Sequence, residues 1–421
     1  MTAREALDRT ILLTRDFVRV DEATDEEILE ALLAVDVTIV SDASNLSHAS
    51  GQTLVVSLTT QLLQMGARIR LAIPEVPLLG PQPPLIGGEL RRGLIDFADD
   101  LVPGVTASVS AAVDTGGMTF VVGDTPCRDD LECAWRVCGG RWWGSTAPIG
   151  EMGSRWTEEF PIGAIIGACI AAAEPYKAAV RGLLKSRGIS RRYEELERTT
   201  AARVALEDEA LQPLTILHPC DFISGGAITN AALFAMFRVP GVSGSIRLLE
   251  PDRLDVTNLN RYALARRHHV HEFKADVLAS YAPPGVRLTP LHVLFDKSTL
   301  PAIRPLAPMV AVGTDAIPPR WLGVGSTAHF MTLTSSHAAD GTCAACLHPR
   351  DDSVVATIPT ISFVSFWAGL LLTARLLASR NGACVPDREA HILWPLRLDL
   401  PAAQRWYRTP RAADCPLGHL P

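Results

Sequence analysis

The chain repeats itself. "VTIV" at 37–40 is followed by a polar turn, the helix-like run "GQTLVVSLTTQLLQMG" and "IRLAIPE" at 69–75. "LTIL" at 214–217 leads through "CDFISGGAITNAALFAMF" to "IRLLEPD" at 246–252. Both pairs are offset by the same 177 residues (214 − 37 and 246 − 69). Later segments echo one another in the same order: "FVVGD" at 120–124 and "VAVGTD" at 310–315, "GSTAP" at 144–148 and "GSTAH" at 325–329, then "PIGAIIGACIAAA" and "PTISFVSFWAGLLL". Short β-branched runs alternating with helical runs favour parallel strands with helices on the sheet faces.

The repeat predicts an α/β chain of two tandem Rossmann-like sheets, parallel or mixed, flanked by helices and related by a pseudo-twofold. One copy falls in residues 1–175 and the other in 213–421, with 176–212 read as a charged helical linker. At 421 residues and 48% hydrophobic, the chain can bury two ordinary cores. A formal net charge of −7 offers no broad cationic surface for a phosphate backbone, which argues against nucleic acid as a partner. Nine scattered cysteines behind the polar start "MTAREALDRT" fit a reducing cytoplasm. Val354 to Ala374 carries no charge and is long enough to span a bilayer. Pro359 and several hydroxyls inside it favour a buried helix over a membrane span.

The two copies diverge immediately after the second strand. The first runs into "VPLLGPQPPLIGGEL", the second into "PDRLDVTNLNRYALARRHHVHEFKADVL". Chemistry is therefore expected in the second copy. Gly225 and Gly226, in a strand-to-helix turn, can bring backbone N–H groups up to a phosphate. Glu250 ends the next strand, where dinucleotide folds hydrogen-bond a ribose. Asp252, Asn258, Arg261 and Lys274 add donors and a carboxylate, Arg and Lys being suited to phosphate oxygens and Asp315 to Mg²⁺.

"E-P-D-R-L-D-V-T-N-L-N-R", a lysine 13 positions later and then "GTD" resemble the adenylation domain of ubiquitin-activating enzymes and the related adenylyltransferases of thiamin and molybdopterin synthesis. The resemblance covers roughly residues 213–421, and the duplication resembles the paired inactive and active halves of the eukaryotic activating enzymes. It implies Glu250 on the ribose of ATP, Asp252 near the nucleotide, Asn258, Arg261 and Lys274 on the phosphates, and Mg²⁺ on Asp315. The family also brings in an arginine from the opposing half's N-terminal segment, for which Arg9 in "LDRTILL" is the candidate. The chain departs from the family's Gly-x-Gly-Gly-x-Gly loop at Ile223 and Ile228, and Glu250 replaces the usual Asp.

Cys343 and Cys346 form a C-x-x-C pair, and Cys415 with His419 lie near the C-terminus; this set suits tetrahedral Zn²⁺. Free thiols are the alternative. Cys384 is left as a candidate nucleophile for a thioester step. His268, His269 and His271 beside Arg266 and Arg267 read as a solvated helix face, with a metal cluster as the alternative. Trp135, Trp142 and Trp143, near Cys127, Cys133 and Cys138, read as a packed loop core.

Three functions fit. One is an adenylyltransferase that activates the C-terminal carboxylate of a ubiquitin-like protein or peptide and hands it to a conjugating enzyme or other acyl acceptor. Another is a weakened relative that binds and presents a peptide. The third, from fold alone, is a nicotinamide-dependent oxidoreductase. With both halves in one chain, either a monomer or a homodimer is expected.

Overall fold

The computed structural model of the chain describes residues 1–19, 23–110, 117–128, 130–189, 193–295, 298–313, 323–328, 330–335, 359–378 and 390–407. The first sheet holds β1 (Asp36–Val40), β2 (Arg68–Ala72), β3 (Ala107–Val109), β4 (Met118–Val122), β5 (Ala134–Gly139), β6 (Trp143–Pro148) and β7 (Ala202–Ala205). Their spatial order is β3-β2-β1-β4-β5-β6-β7, parallel as far as β5 and antiparallel beyond it. The second sheet holds β8 (Cys220–Ile223), β9 (Gly244–Leu249), β10 (Val286–Leu291), β11 (Met309–Val312), β12 (Gly323–Ala328), β13 (Met331–Ser335), β14 (Ala390–Leu393) and β15 (Gln404–Tyr407). Its order, β10-β9-β8-β11-β12-β13-β14-β15, repeats the first strand for strand and adds β15 at the edge. Parallelism again ends one strand past β11.

Ten helices are described: α1 (Ala3–Val18), α2 (Asp25–Leu33), α3 (Ala43–Leu46), α4 (Ala49–Met65), α5 (Leu90–Asp99), α6 (Ile162–Ser186), α7 (Ala227–Met236), α8 (Lys274–Ser280), α9 (Leu300–Ile303) and α10 (Ser362–Ala378). Thr2 with Glu5 and Thr24 with Glu27 form capping boxes that start α1 and α2 by satisfying their free N–H groups. Gly66, at φ +101°, ends α4 in the left-handed conformation that a side chain resists. From Ser50 to Met65 α4 is buried on every side, and so is α10 along its whole length. Helices buried all round lie between layers, α10 because it is apolar on nearly every side and α4 in spite of its buried Ser, Thr and Gln. One apolar cluster accordingly runs through α4, α6, α7 and α10 and joins the two sheets. Among the described helices, α6 is long and apolar enough to cross a membrane, yet 94% of its most apolar window is buried in the protein.

The repeat is real at the level of topology, but the sequence echoes misplace parts of it. Val40 and Ile223 end β1 and β8 opposite Ala72 and Leu249, the last residues of β2 and β9. The second strands keep the offset of 177 (249 − 72), whereas the first strands are 183 apart (223 − 40). Two features account for the difference: the first crossover carries the extra turn α3, and α4 has 17 residues against 10 in α7. "LTIL" at 214–217 is therefore not the strand; it runs beside the start of β9, with Leu217 N–H on the Ser243 carbonyl at 2.8 Å. "GSTAP" lies in β6 but "GSTAH" begins in β12, which occupies the place of β5, so that echo is accidental. The run 176–212 is helical only to Ser186. It then forms a 3-10 turn at Glu194–Leu196 and β7, because alternate burial of Ala202 and Val204 suits the sheet edge.

Candidate active site

In both sheets the strand order reverses beside the first strand, and such a switch point opens a crevice at the strands' carboxyl ends. In the second sheet the crevice lies between β8 and β11. Ser224, Gly225 and Gly226 connect β8 to α7. Ser224 sits at φ +75°, a left-handed conformation that costs a non-glycine residue about 1 kcal/mol or more. Its backbone is held by a bond to the Leu249 carbonyl at 2.9 Å, and its hydroxyl accepts the Gly226 N–H at 3.1 Å. Asn230, one turn into α7, donates to the Gly225 and Gly226 carbonyls at 2.9 and 3.1 Å. A Cβ on Gly225 would stand 3.0 Å from Glu250 Cγ, so a side chain there would press on the Glu250 side chain.

Glu250 is buried against this turn. Its Oε2 accepts the Gly225 N–H at 2.7 Å and the Ser224 hydroxyl at 3.3 Å, and its Oε1 accepts the Asp252 N–H at 2.9 Å. The carboxylate expected on a ribose thus occupies the glycine turn. Asp252 is mostly exposed and pairs with Lys274 Nζ at 3.0 Å. Asn258 accepts the Asp255 N–H at 2.9 Å and closes a capping box around a 3-10 turn at Val256–Asn258, so its carbonyl oxygen shapes the segment.

Two cations approach one ring here, and the charge of a third acts on one of them. Arg261 is buried, donates to the Thr257 carbonyl and, at 2.8 Å, to Asn260 Oδ1, and lies 5.3 Å from the Tyr262 ring centroid. Lys274 Nζ is 5.8 Å from the same ring. The third, Arg9, comes from α1: Asn260 Nδ2 donates to Thr10 Oγ1 at 2.8 Å and so docks the helix on this segment. Burial, aided by the nearby Arg9 charge, lowers Arg261 to a pKa of about 10, against the pull of Tyr262 and Asp255. Burial also works against the Lys274 ammonium, but Tyr262, Glu250 and Asp252 outweigh it and hold its pKa above the ordinary lysine value. Arg9 Nε is buried without a hydrogen-bond partner among the described residues. Tyr262 and Asn230 carried no signal in the sequence, because each acts through the fold around it.

The equivalent crevice of the first sheet is filled. Asn45 donates to Asp124 at 2.9 Å, Asp42 at 3.1 Å and Thr125 Oγ1 at 3.1 Å, and accepts the Trp156 N–H at 3.0 Å. Arg155 pairs with Asp124 at 3.0 Å. Burial raises the Asp124 pKa, but Arg155 and Asn45 more than offset it and leave it lowered. Gly123, at φ +58°, lies so close that a Cβ there would meet Asn45 Oδ1 at 2.1 Å.

Asp315, Cys343, Cys346, Cys384, Cys415 and His419 lie outside the described residues. Among the described residues no three His, Cys, Asp or Glu side chains converge on a metal site. Arg266 to His269 are not a solvated helix face. Arg267 N–H donates to the Asp100 carbonyl at 2.7 Å, Arg267 Nη2 to the Asp99 carbonyl at 2.7 Å, and His268 Nδ1 pairs with the Asp100 carboxylate. The cluster docks on the end of α5, where the helix's free carbonyls favour cations. Trp135 and Trp142 are buried in the core, but the group is not a loop: Trp135 lies in β5 and Trp143 in β6, half-buried with Arg203 3.7 Å over its ring.

Neither a family model nor a curated protein matches the sequence. Among solved structures, E. coli MccB with AMPCPP and MccA is similar over 47% of this chain and 66% of its own length, just under two thirds, at 15% identity and a TM-score of 0.37. E. coli MccB with ATP is similar over 67% of this chain and 99% of its own, at 11% identity and a TM-score of 0.39. The E. coli tRNA N6-threonylcarbamoyladenosine dehydratase TcdA, in complex with AMP, is similar over 24% and 42%, at 25% identity and a TM-score of 0.22.

Proposed function

We propose that the chain is an ATP-dependent adenylyltransferase that activates the C-terminal carboxylate of a ubiquitin-like protein or peptide. The observation that carries this reading is the approach of Arg261 and Lys274 to one ring, Tyr262, that reaches the glycine turn, with the Arg9 charge acting on Arg261 and Arg9 Nε buried without a hydrogen-bond partner among the described residues. Cations partly withdrawn from water favour an added anion, which here would compete with Asp252 for Lys274. Residues 213–421 form the active half and 1–175 the inactive half, whose crevice Asn45 and Arg155 fill. The substrate carboxylate attacks the α-phosphorus, the bond to the β-phosphate oxygen breaks, and pyrophosphate leaves with the acyl-adenylate formed. The chain supplies positioning and charge neutralisation and no general base. Arg261, Lys274 and Arg9 face the phosphates, Asn258 shapes their approach, and Glu250 turns from Gly225 to the ribose. Mg²⁺ on Asp315 would offset phosphate charge, and Zn²⁺ on Cys343, Cys346, Cys415 and His419 would tie down the C-terminal tail. Transfer to a conjugating enzyme or other acceptor, directly or through Cys384, would come next, in the cytoplasm.

The test is ATP–pyrophosphate exchange dependent on an added carboxylate peptide or ubiquitin-like protein. Exchange abolished in Lys274→Ala supports the reading; exchange absent with every candidate, or unchanged in that variant, ends it.

One observation favours a second reading, a peptide-presenting protein that has lost ATP. Glu250 and Ser224 already take the Gly225 and Gly226 N–H groups. Calorimetry with ATP separates the two, since the presenting protein would show no heat of binding.

A further inference from the structure

Tyr262 takes no part in the adenylation chemistry itself, yet it lies at the centre of the site. It is 4% exposed, and its backbone is fixed on both sides. Its N–H donates to the Asn258 carbonyl at 3.0 Å, and its carbonyl accepts Gln64 Nε2 from α4 at 2.9 Å. Arg261 and Lys274 approach the same ring at 5.3 and 5.8 Å from its centroid. The hydroxyl lies 3.9 Å from where a Cβ on Gly226 would stand, so the ring reaches the glycine turn.

Both cations are largely buried, and each has one further anchor, Lys274 on Asp252 at 3.0 Å and Arg261 on Asn260 Oδ1 at 2.8 Å. The negative face of an aromatic ring attracts each of them and supplies no charge that a phosphate would have to displace. A carboxylate in the same place would neutralise the cations but compete with the ligand. We propose that Tyr262 is a positioning residue: its ring holds Arg261 and Lys274 together and aimed at the glycine turn before the nucleotide arrives. The Gln64 bond makes this position depend on the first half of the chain. The inference rests on the reading of this crevice as a nucleotide site.

The test is calorimetric titration of the full chain with MgATP and, separately, with adenosine, for wild type, Tyr262→Phe and Tyr262→Leu. Phenylalanine keeps the ring, so ATP affinity should stay within about twofold of wild type. Leucine removes it, and ATP should bind about tenfold more weakly while adenosine, which has no phosphates, binds as before. Unchanged ATP affinity in Tyr262→Leu would overturn the proposal, and so would a parallel loss of ATP and adenosine, which would make Tyr262 an ordinary core residue. Wild-type protein that fails to bind ATP would remove the nucleotide reading itself, and this inference with it.

Discussion

The Gly225 amide and the Glu250 carboxylate are joined by a 2.7 Å hydrogen bond across the mouth of the second-sheet crevice. A phosphate and a carboxylate cannot use one N–H together, so nucleotide binding at this turn has to displace Glu250. Glu250→Asp withdraws the carboxylate by one methylene and breaks that bond. A charge-assisted bond of this kind contributes about 1.5 kcal/mol or more, so the variant should bind ATP about tenfold tighter by calorimetry. Equal or weaker binding would show that the bond does not compete with the nucleotide.

Arg9 has a different signature. Its charge opposes Arg261, and its Nε has no hydrogen-bond partner among the described residues. Arg9→Ala should therefore leave the unfolding free energy from urea denaturation unchanged or raised by no more than about 0.5 kcal/mol, while the ATP KM in the exchange assay rises several-fold. Joint loss of stability and activity would assign Arg9 to packing.

Lys177 and Glu174 form a buried ion pair in α6, and the ammonium also donates to the Glu197 carbonyl at 2.9 Å, Thr199 Oγ1 at 2.8 Å and the Leu396 carbonyl at 3.1 Å. Removing one partner strands the other charge. Lys177→Ala should cost about 3–5 kcal/mol in chemical denaturation, and Lys177→Met combined with Glu174→Leu should recover much of it. Equal losses in the single and double variants would show that the carbonyl bonds, rather than the ion pair, dominate.

His269 gives a pH dependence. It is 8% exposed, its Nδ1 accepts the Arg266 N–H at 3.2 Å, and its neighbours are His268, Arg266, Asp100 and Tyr281. Burial, with repulsion from His268 and Arg266, lowers its pKa from 6.5 to about 4 against the opposing pull of Asp100. Between those values the unfolded chain binds the extra proton, so stability falls as pH drops from 6.5 to 4, by up to about 3 kcal/mol. His269→Gln should flatten that part of the stability curve. An equally steep curve in the variant would assign the acid sensitivity to other groups.

Much of the fold was legible in the sequence because parallel sheets leave strong local marks. The apolar runs of β2, β4, β9 and β11 and the polar segment after Leu249 stand out against their surroundings, and the unequal polarity of the two post-strand segments points to one crevice over the other. "LTIL" misleads because an apolar tetrapeptide looks alike in a sheet and alongside one; only the pairing of Cys220–Ile223 with β11 decides. Arg266 to His269 mislead for a related reason. A basic run reads as solvated until Asp100, far away in sequence, is placed opposite it. The roles of Tyr262, Gln64 and Ser224 depend on contacts that span long loops or on one unusual φ angle, and neither leaves a pattern in composition.

Thr10 and Asn260 are 250 residues apart and bonded to each other. Because both belong to one polypeptide, the docking of α1 on the polar segment is a first-order event whose local concentration is fixed by the chain and not by the amount of protein present. Diluting the protein cannot carry Arg9 away from Arg261, and the turnover of each molecule should stay constant over any range of enzyme concentration in which the fold survives. Two separate subunits meeting through the same contacts would lose activity on dilution.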